Sequence, residues 1–316
     1  MGLLSADERI GRRLKFRDLQ VFFAVVQAGS ISKAAKHLGL TQPAVSDIIG
    51  SLEHMFGVRL FDRTPNGVDL TPYGEALRLR GRAAFDELKQ GIRDIAFLSE
   101  PSAGELRIGC PSSIAASVLP AAIESFSRKF PRVIVHLDEV PAPSTEFPSL
   151  HERRHDLVIA RVARPLVDER DLNVEVLFQD PLVIATGIHS PWARRRKVDL
   201  AEFTGASWIL TAPQTWVYVS VARAFAARKL PMPVISLAAP SALLRVHLLA
   251  TGPFVTAVPG SVLHMDAARR SLKRLGTDLN IAGYPLAILT LKNRSLGPLV
   301  ALFIDHVRQA ARAIAP

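Results

Sequence analysis

TQPAVSDIIGSLEHMF, residues 41–56, is the stretch that decides how this 316-residue chain folds. Val45, Ile48, Ile49 and Leu52 recur at helical spacing and make one apolar stripe. Gln42, Pro43, Ser46, Asp47 and Gly50 fall on the other side, where no long aliphatic side chain stands, so another surface can come close. Thr41 is placed to cap the helix and Pro43 falls in the first turn, where a missing N–H costs least; Gly57 is placed to end it.

Working outward, residues 16–28 (FRDLQVFFAVVQA) read as an amphipathic helix with Leu19, Phe22, Phe23 and Val26 inward, closed by Gly29. Ser30 is placed to cap a short helix over residues 31–38, where Ala34 and Ala35 permit close packing, and Gly39 turns the chain into Thr41. Three helices in about 45 residues, the last two joined by a tight glycine turn, predict a helix-turn-helix, whose second element lies in the DNA major groove. Residues 59–61 and 68–70 alternate like strands around Pro65-Asn66-Gly67, a turn signal, and predict a two-stranded wing with Arg63 at its root.

The run FFAVVQAGSISKAAKHLGLTQPAVSDIIGSLEHMFGVRLFDRTPNGVDLTPYG resembles the winged helix-turn-helix of LysR-type transcriptional regulators. The resemblance is carried by Ala24, Ala34-Ala35, Leu38, residues 41–46, Leu52-Glu53, Gly57, Leu60-Phe61, Arg63, Gly67, Leu70-Thr71 and Gly74. It implies a DNA-facing set of Ser30, Ser32, Thr41, Gln42, Pro43, Ser46, Asp47, Arg59 and Arg63. Gln42 and Ser46 would meet base edges, Pro43 a thymine methyl, and Arg59 and Arg63 backbone phosphate. Asp47 departs from the family's habit of a basic or amide residue there; the expected role is to accept from a cytosine amino group.

Composition bounds the rest. The length suggests two or three domains, and 48% hydrophobic with 22% charged residues is ordinary for a globular chain. No apolar run nears the ~20 residues of a membrane span and no secretory signal opens the chain, so a cytoplasmic location without membrane attachment is expected. The single cysteine, Cys110, excludes an internal disulfide and a multi-cysteine metal site. Net charge is +10, but residues 1–100 carry 14 basic against 12 acidic side chains, so total charge argues little for DNA.

Residues 1–14 read as a flexible leader, whose Arg12 and Arg13, with Lys15 and Arg17 beyond, have a solvated basic tail as their plainer reading and contact with phosphate as the other; residues 15–72 read as the DNA-binding domain. Thr71-Pro72 opens a proline-free linker helix, residues 73–100, on which Leu77, Ala84, Leu88, Ile92, Ile95 and Leu98 trace a stripe read as pairing with a second subunit, the alternative being packing on the chain's own C-terminal half. After Pro101-Ser102-Ala103-Gly104, strands and helices alternate, predicting a βαβαβ unit with a parallel sheet and one helix over residues 114–129. A second block contains strands near residues 174–178, 182–186, 208–210 and 234–237.

The family resemblance implies a two-lobed effector domain like a periplasmic solute-binding protein over residues 104–316. Its first lobe would hold about 104–162 and 260–316, its second about 163–259. Homodimers paired into a homotetramer, promoter DNA and a small-molecule effector are the implied partners; no cofactor and no enzyme activity are expected. Ligands in such folds sit at strand ends between lobes. Pro111-Ser112-Ser113 leads from a strand into a helix N-terminus, which favours an anion. Ser144, Arg161, Thr211 and Gln214 are expected to line the same cleft, and an anionic metabolite such as a carboxylate is expected in it.

Other features have plainer readings: Cys110 as a small buried residue rather than an oxidant sensor, His151/His155 as no metal pair, residues 194–197 (RRRK) as a solvated loop, Trp216 and Tyr218 as packing or pocket rim. The competing function is a ligand-binding or enzymatic α/β protein whose N-terminal helices serve assembly. No phosphate loop, nucleophile elbow or metalloprotease motif supports it.

Overall fold

The computed structural model describes residues 14–315 except 66, 142, 278, 280 and 282. The leader, apart from its last residue, and Asn66 of the wing turn therefore lie outside the described residues. Backbone contacts divide the chain into two units, residues 1–89 and 90–316.

In the first unit, helices α1 (Phe16–Ala28), α2 (Ile31–Leu38) and α3 (Gln42–Phe56) end at Gly29, Gly39 and Gly57, each left-handed with φ of 61°, 65° and 69°. Their shared core holds Phe22, Val25, Ala34, Val45 and Leu52, all fully buried; each of the large ones is worth roughly 1.5–3 kcal/mol against exposure. Two details differ from the sequence reading. Val21 and Val25 are buried where Phe23 and Val26 were expected, and Ile48 is only half-buried. Ser30 occupies the N-cap position of α2 without making a side-chain capping bond.

The wing is β1 (Phe61–Thr64) paired with β2 (Gly67–Leu70). It begins later than the sequence pattern suggested because the carbonyls of Arg59 and Leu60 are taken by the Thr71 hydroxyl at 2.7 Å and the Thr71 N–H at 3.0 Å. Arg63 consequently pairs with Val68 one step from the turn, near the tip of the wing rather than its root. The Val68 N–H donates to the Gly29 carbonyl at 3.0 Å. A Cβ at Gly67 would lie 2.1 Å from that oxygen, so glycine is required there.

Thr71 caps the long helix α4 (Pro72–Ser99) by accepting from the Gly74 N–H at 3.0 Å. Midway along its length α4 packs on α1 through edge-on contacts of Phe85 with Phe16 and Phe23. Further along, Leu88, Ile92, Ile95 and Leu98 are exposed, Leu98 by 76%.

The second unit holds two five-stranded sheets. The first is ordered β4 (Arg132–Glu139), β3 (Ala103–Cys110), β5 (Leu157–Arg161), β12 (Tyr284–Leu291) and β6 (Leu172–Asp180); the second β11 (Leu272–Arg274), β7 (Leu182–Gly187), β10 (Val255–Pro259), β8 (Trp208–Leu210) and β9 (Ile235–Ala238). Apolar clusters flank the first sheet on both sides, as the wholly buried run of β5 requires.

The expected βαβαβ unit is present, with β3, β4 and β5 parallel; β12, from outside that unit, joins antiparallel to both its neighbours and makes the whole sheet mixed. Three expectations are corrected. The strand assigned to the second lobe, near residues 174–178, is β6 and pairs with β12, so the chain crosses between lobes at Asp180–Leu182. It returns after Arg274 rather than at residue 260, because β11 pairs with β7. Finally, the helix expected over 114–129 is two, α5 (Ser112–Ala115) and α6 (Leu119–Lys129). Pro120 lacks an N–H and its ring would strike the carbonyl four residues back, so a new helix starts with it in the first turn.

Candidate nucleic-acid interface and effector cleft

On α3 the chemistry expected to face DNA does point outward. Thr41, Gln42, Pro43 and Asp47 are exposed and Ser46 is half-exposed, while Val45 and Leu52 behind them are fully buried. The Thr41 hydroxyl accepts from the Ala44 N–H at 3.4 Å and fixes the first turn. Ser32 is exposed and Ser30 half-buried at the start of α2, and Arg59, just before the wing, and Arg63, on it, are exposed. Glu53 was not singled out by the sequence for any contact of its own. Its Oε1 accepts from the Leu60 N–H at 2.7 Å and the Phe61 N–H at 3.2 Å, and so ties the end of α3 to the start of the wing.

Arg59→Ala and Arg63→Ala should each weaken duplex binding about equally for all sequences and lower the slope of log affinity against log salt by ~1, since each releases about one counterion fewer. Gel shifts at three salt concentrations check this; a change of base preference with an unchanged slope would contradict it.

In the second unit, Ser113, Ser144 and Arg161 come together on the first lobe. Arg161, 2% exposed, donates from Nε to Asp180 at 2.8 Å, from Nη2 to Ser261 at 2.9 Å and from Nη1 to the Ser113 hydroxyl at 3.0 Å. Asp180 is fully buried, and its other bonds come from the Ser261 N–H at 2.9 Å and hydroxyl at 2.7 Å. Burial lowers the guanidinium's proton affinity, and the Asp180 charge and hydrogen bond oppose that shift. The sequence carried a signal for this: an arginine closing an apolar strand needs an acid, though nothing in the sequence says which one. Asp180 and Ser261 are the residues it missed.

The Ser144 N–H donates to the Arg161 carbonyl at 3.3 Å, while its hydroxyl is turned to Glu146 within its own loop. Ser113 lies inside α5, and Pro111 holds the cap position. Ser112 is exposed. On the second lobe the Thr211 hydroxyl bonds to that of Thr215, which caps α7 (Trp216–Ala227), and Gln214 is exposed. Among the described residues no hydrogen bond joins Thr211 or Gln214 to the first-lobe group. Trp216 spans the two lobes, its ring edge-on to Tyr284 at 5.1 Å.

Burial pushes the Cys110 thiol up to about 12, the opposite of what a thiolate sensor needs. His155 bonds to Asp138 at 2.9 Å and His151 faces Asp168 at 3.6 Å, so the two histidines diverge. Arg195 pairs with Glu202 at 2.7 Å, and the rest of the basic loop is exposed. Among the described residues no helix is long and apolar enough to cross a membrane.

Family models match both parts of the chain: the bacterial regulatory helix-turn-helix protein of the lysR family over residues 16–75, and the LysR substrate binding domain over residues 99–312. The chain belongs to the LysR family. It is similar to the HTH-type transcriptional regulator TdcA of Escherichia coli strain K12, 37% identical over 170 residues, which are 54% of each chain; the match thus spans about half the length of that curated relative. The fold is shared with full-length OxyR of Pseudomonas aeruginosa in a cysteine-to-aspartate form, at a TM-score of 0.62 and 19% identity over 94% of this chain and 98% of that one. It is shared also with full-length CbnR complexed with its target DNA, at a TM-score of 0.50 and 22% identity over 94% of this chain and 100% of that one.

Proposed function

We propose that this chain is a transcriptional regulator that binds promoter DNA in a sequence-specific way, and that a small molecule held between its α/β lobes modulates the binding. The observation that carries the reading is the division of α3: Gln42, Pro43 and Asp47 stand exposed on one face while Val45 and Leu52 anchor the other at 0% exposure. Gln42 and Ser46 serve the base edges, Asp47 a base amino group, and Arg59 and Arg63 the phosphates. The exposed stripe of α4 supports pairing of two copies, which sets two recognition helices one duplex turn apart; the tetramer is then a pair of dimers. A regulator of this kind works in the cytoplasm beside the chromosome and needs neither a cofactor nor an enzymatic step.

Ser112, Ser113 and Ser144 on one lobe and Thr211 and Gln214 on the other supply hydroxyl and amide groups to the ligand. The case for an anion is weaker than the sequence suggested. Arg161 already has a buried counter-charge in Asp180, and α5, with four residues, has little dipole to offer. A polar ligand rich in hydroxyls suits the group better. A footprint of the full-length protein on the region upstream of its own gene tests the reading, repeated with hydroxylated acids and sugars. A protected palindrome whose extent changes with one of them supports it; no protection on any duplex overturns it in favour of an assembly role for the N-terminal helices.

A further inference from the structure

The helix interiors of the described residues contain four glycines that have no need of a left-handed backbone: Gly50 in α3, and Gly74, Gly81 and Gly91 in α4. Glycine is the poorest helix former after proline, so each wants a reason. Packing explains two of them. A Cβ at Gly74 would stand 2.1 Å from the Leu60 carbonyl, and one at Gly81 3.1 Å from the Phe23 ring. Gly91 meets nothing within 4 Å, but it adjoins the exposed stripe of Leu88, Ile92 and Ile95. Gly50 likewise meets nothing within 4 Å and is exposed, so the protein's own atoms give no reason for it.

Gly50 forms part of a shallow dish on the outer face of α3, with Ser46, Asp47, Ser51, His54 and Met55 around it. Residues 42–56 include no lysine or arginine, so α3 is not drawn to the duplex by cations of its own. Asp47 is exposed and makes no hydrogen bond or ion pair among the described residues, whereas Glu53, the other acid of the helix, is held inward by two backbone N–H groups.

We infer that Gly50 is a specificity-determining residue: the space over it lets α3 seat deeply in the major groove, where Asp47 accepts from the exocyclic amino group of cytosine or adenine. The inference rests on the promoter-binding reading above and extends it to one position. A methyl at residue 50 lifts the helix by part of an ångström and lengthens the bond to the amino group, whose strength depends steeply on distance.

The test uses the full-length chain and duplexes selected by the wild-type protein from a randomised pool. Gly50→Ala is expected to slow amide exchange in α3 by about fivefold, showing a firmer helix. The same variant should bind the selected duplex at least tenfold more weakly and lose preference at one base pair of each half-site. Asp47→Asn should lose preference at that same pair. If Gly50→Ala slows exchange yet keeps both affinity and base ranking, the inference is overturned alone. If the wild-type protein selects no duplex at all, it falls together with the promoter-binding reading. A preference lost at different pairs in the two variants also overturns it, since the glycine would then not be serving Asp47.

Discussion

Asp180→Ala is expected to cost the second unit about 3–5 kcal/mol, because it leaves the Arg161 guanidinium buried without its counter-charge. Trp192, Trp208 and Trp216 all lie in the second lobe, so urea unfolding followed by tryptophan fluorescence reads the loss in the full chain. Part of the cost falls on Ser261, whose N–H and hydroxyl both donate to Asp180. The paired change Arg161→Met with Asp180→Leu should be much milder than Asp180→Ala, since apolar side chains of similar size need no partner. A loss below about 1 kcal/mol for the single change would mean that water reaches the pair.

The second large effect concerns Glu53. Glu53→Ala removes the acceptor shared by the Leu60 and Phe61 N–H groups at the buried foot of the wing, at about 1–3 kcal/mol for each unmet donor. The expected total of about 2–6 kcal/mol should appear as faster amide exchange at residues 58–70 and as lost duplex binding, although the Glu53 carboxylate is turned inward to the backbone. Glu53→Gln keeps an acceptor oxygen and should retain most of both. Equal damage from the two substitutions would show that the negative charge, rather than the hydrogen bonds, does the holding.

What the sequence made legible follows from the range of the signals. The N-terminal helices end where Gly29, Gly39 and Gly57 stand, because a positive φ is a local demand that a single residue type reports. The exposed set on α3 was readable because helical periodicity sorts faces without reference to anything distant. Lobe membership was not readable from local signals. The strand 172–180 belongs to the first sheet only because residues 284–291, more than a hundred positions later, pair with it. β11 escaped notice because three residues, two of them charged, are too short for alternation to show. Arg161 was readable as a charge at a strand end, but its buried partner Asp180 was not, since a sequence shows a charge without showing what neutralises it.

The contact between the Val68 N–H and the Gly29 carbonyl, together with the Glu53 bonds, leaves α3 and the wing, the two parts proposed to meet DNA, little freedom to shift against each other. A surface that cannot adapt transfers the work of fitting to the double helix. Promoters would then be sorted partly by how cheaply their base steps kink or narrow a groove, at positions that no side chain touches.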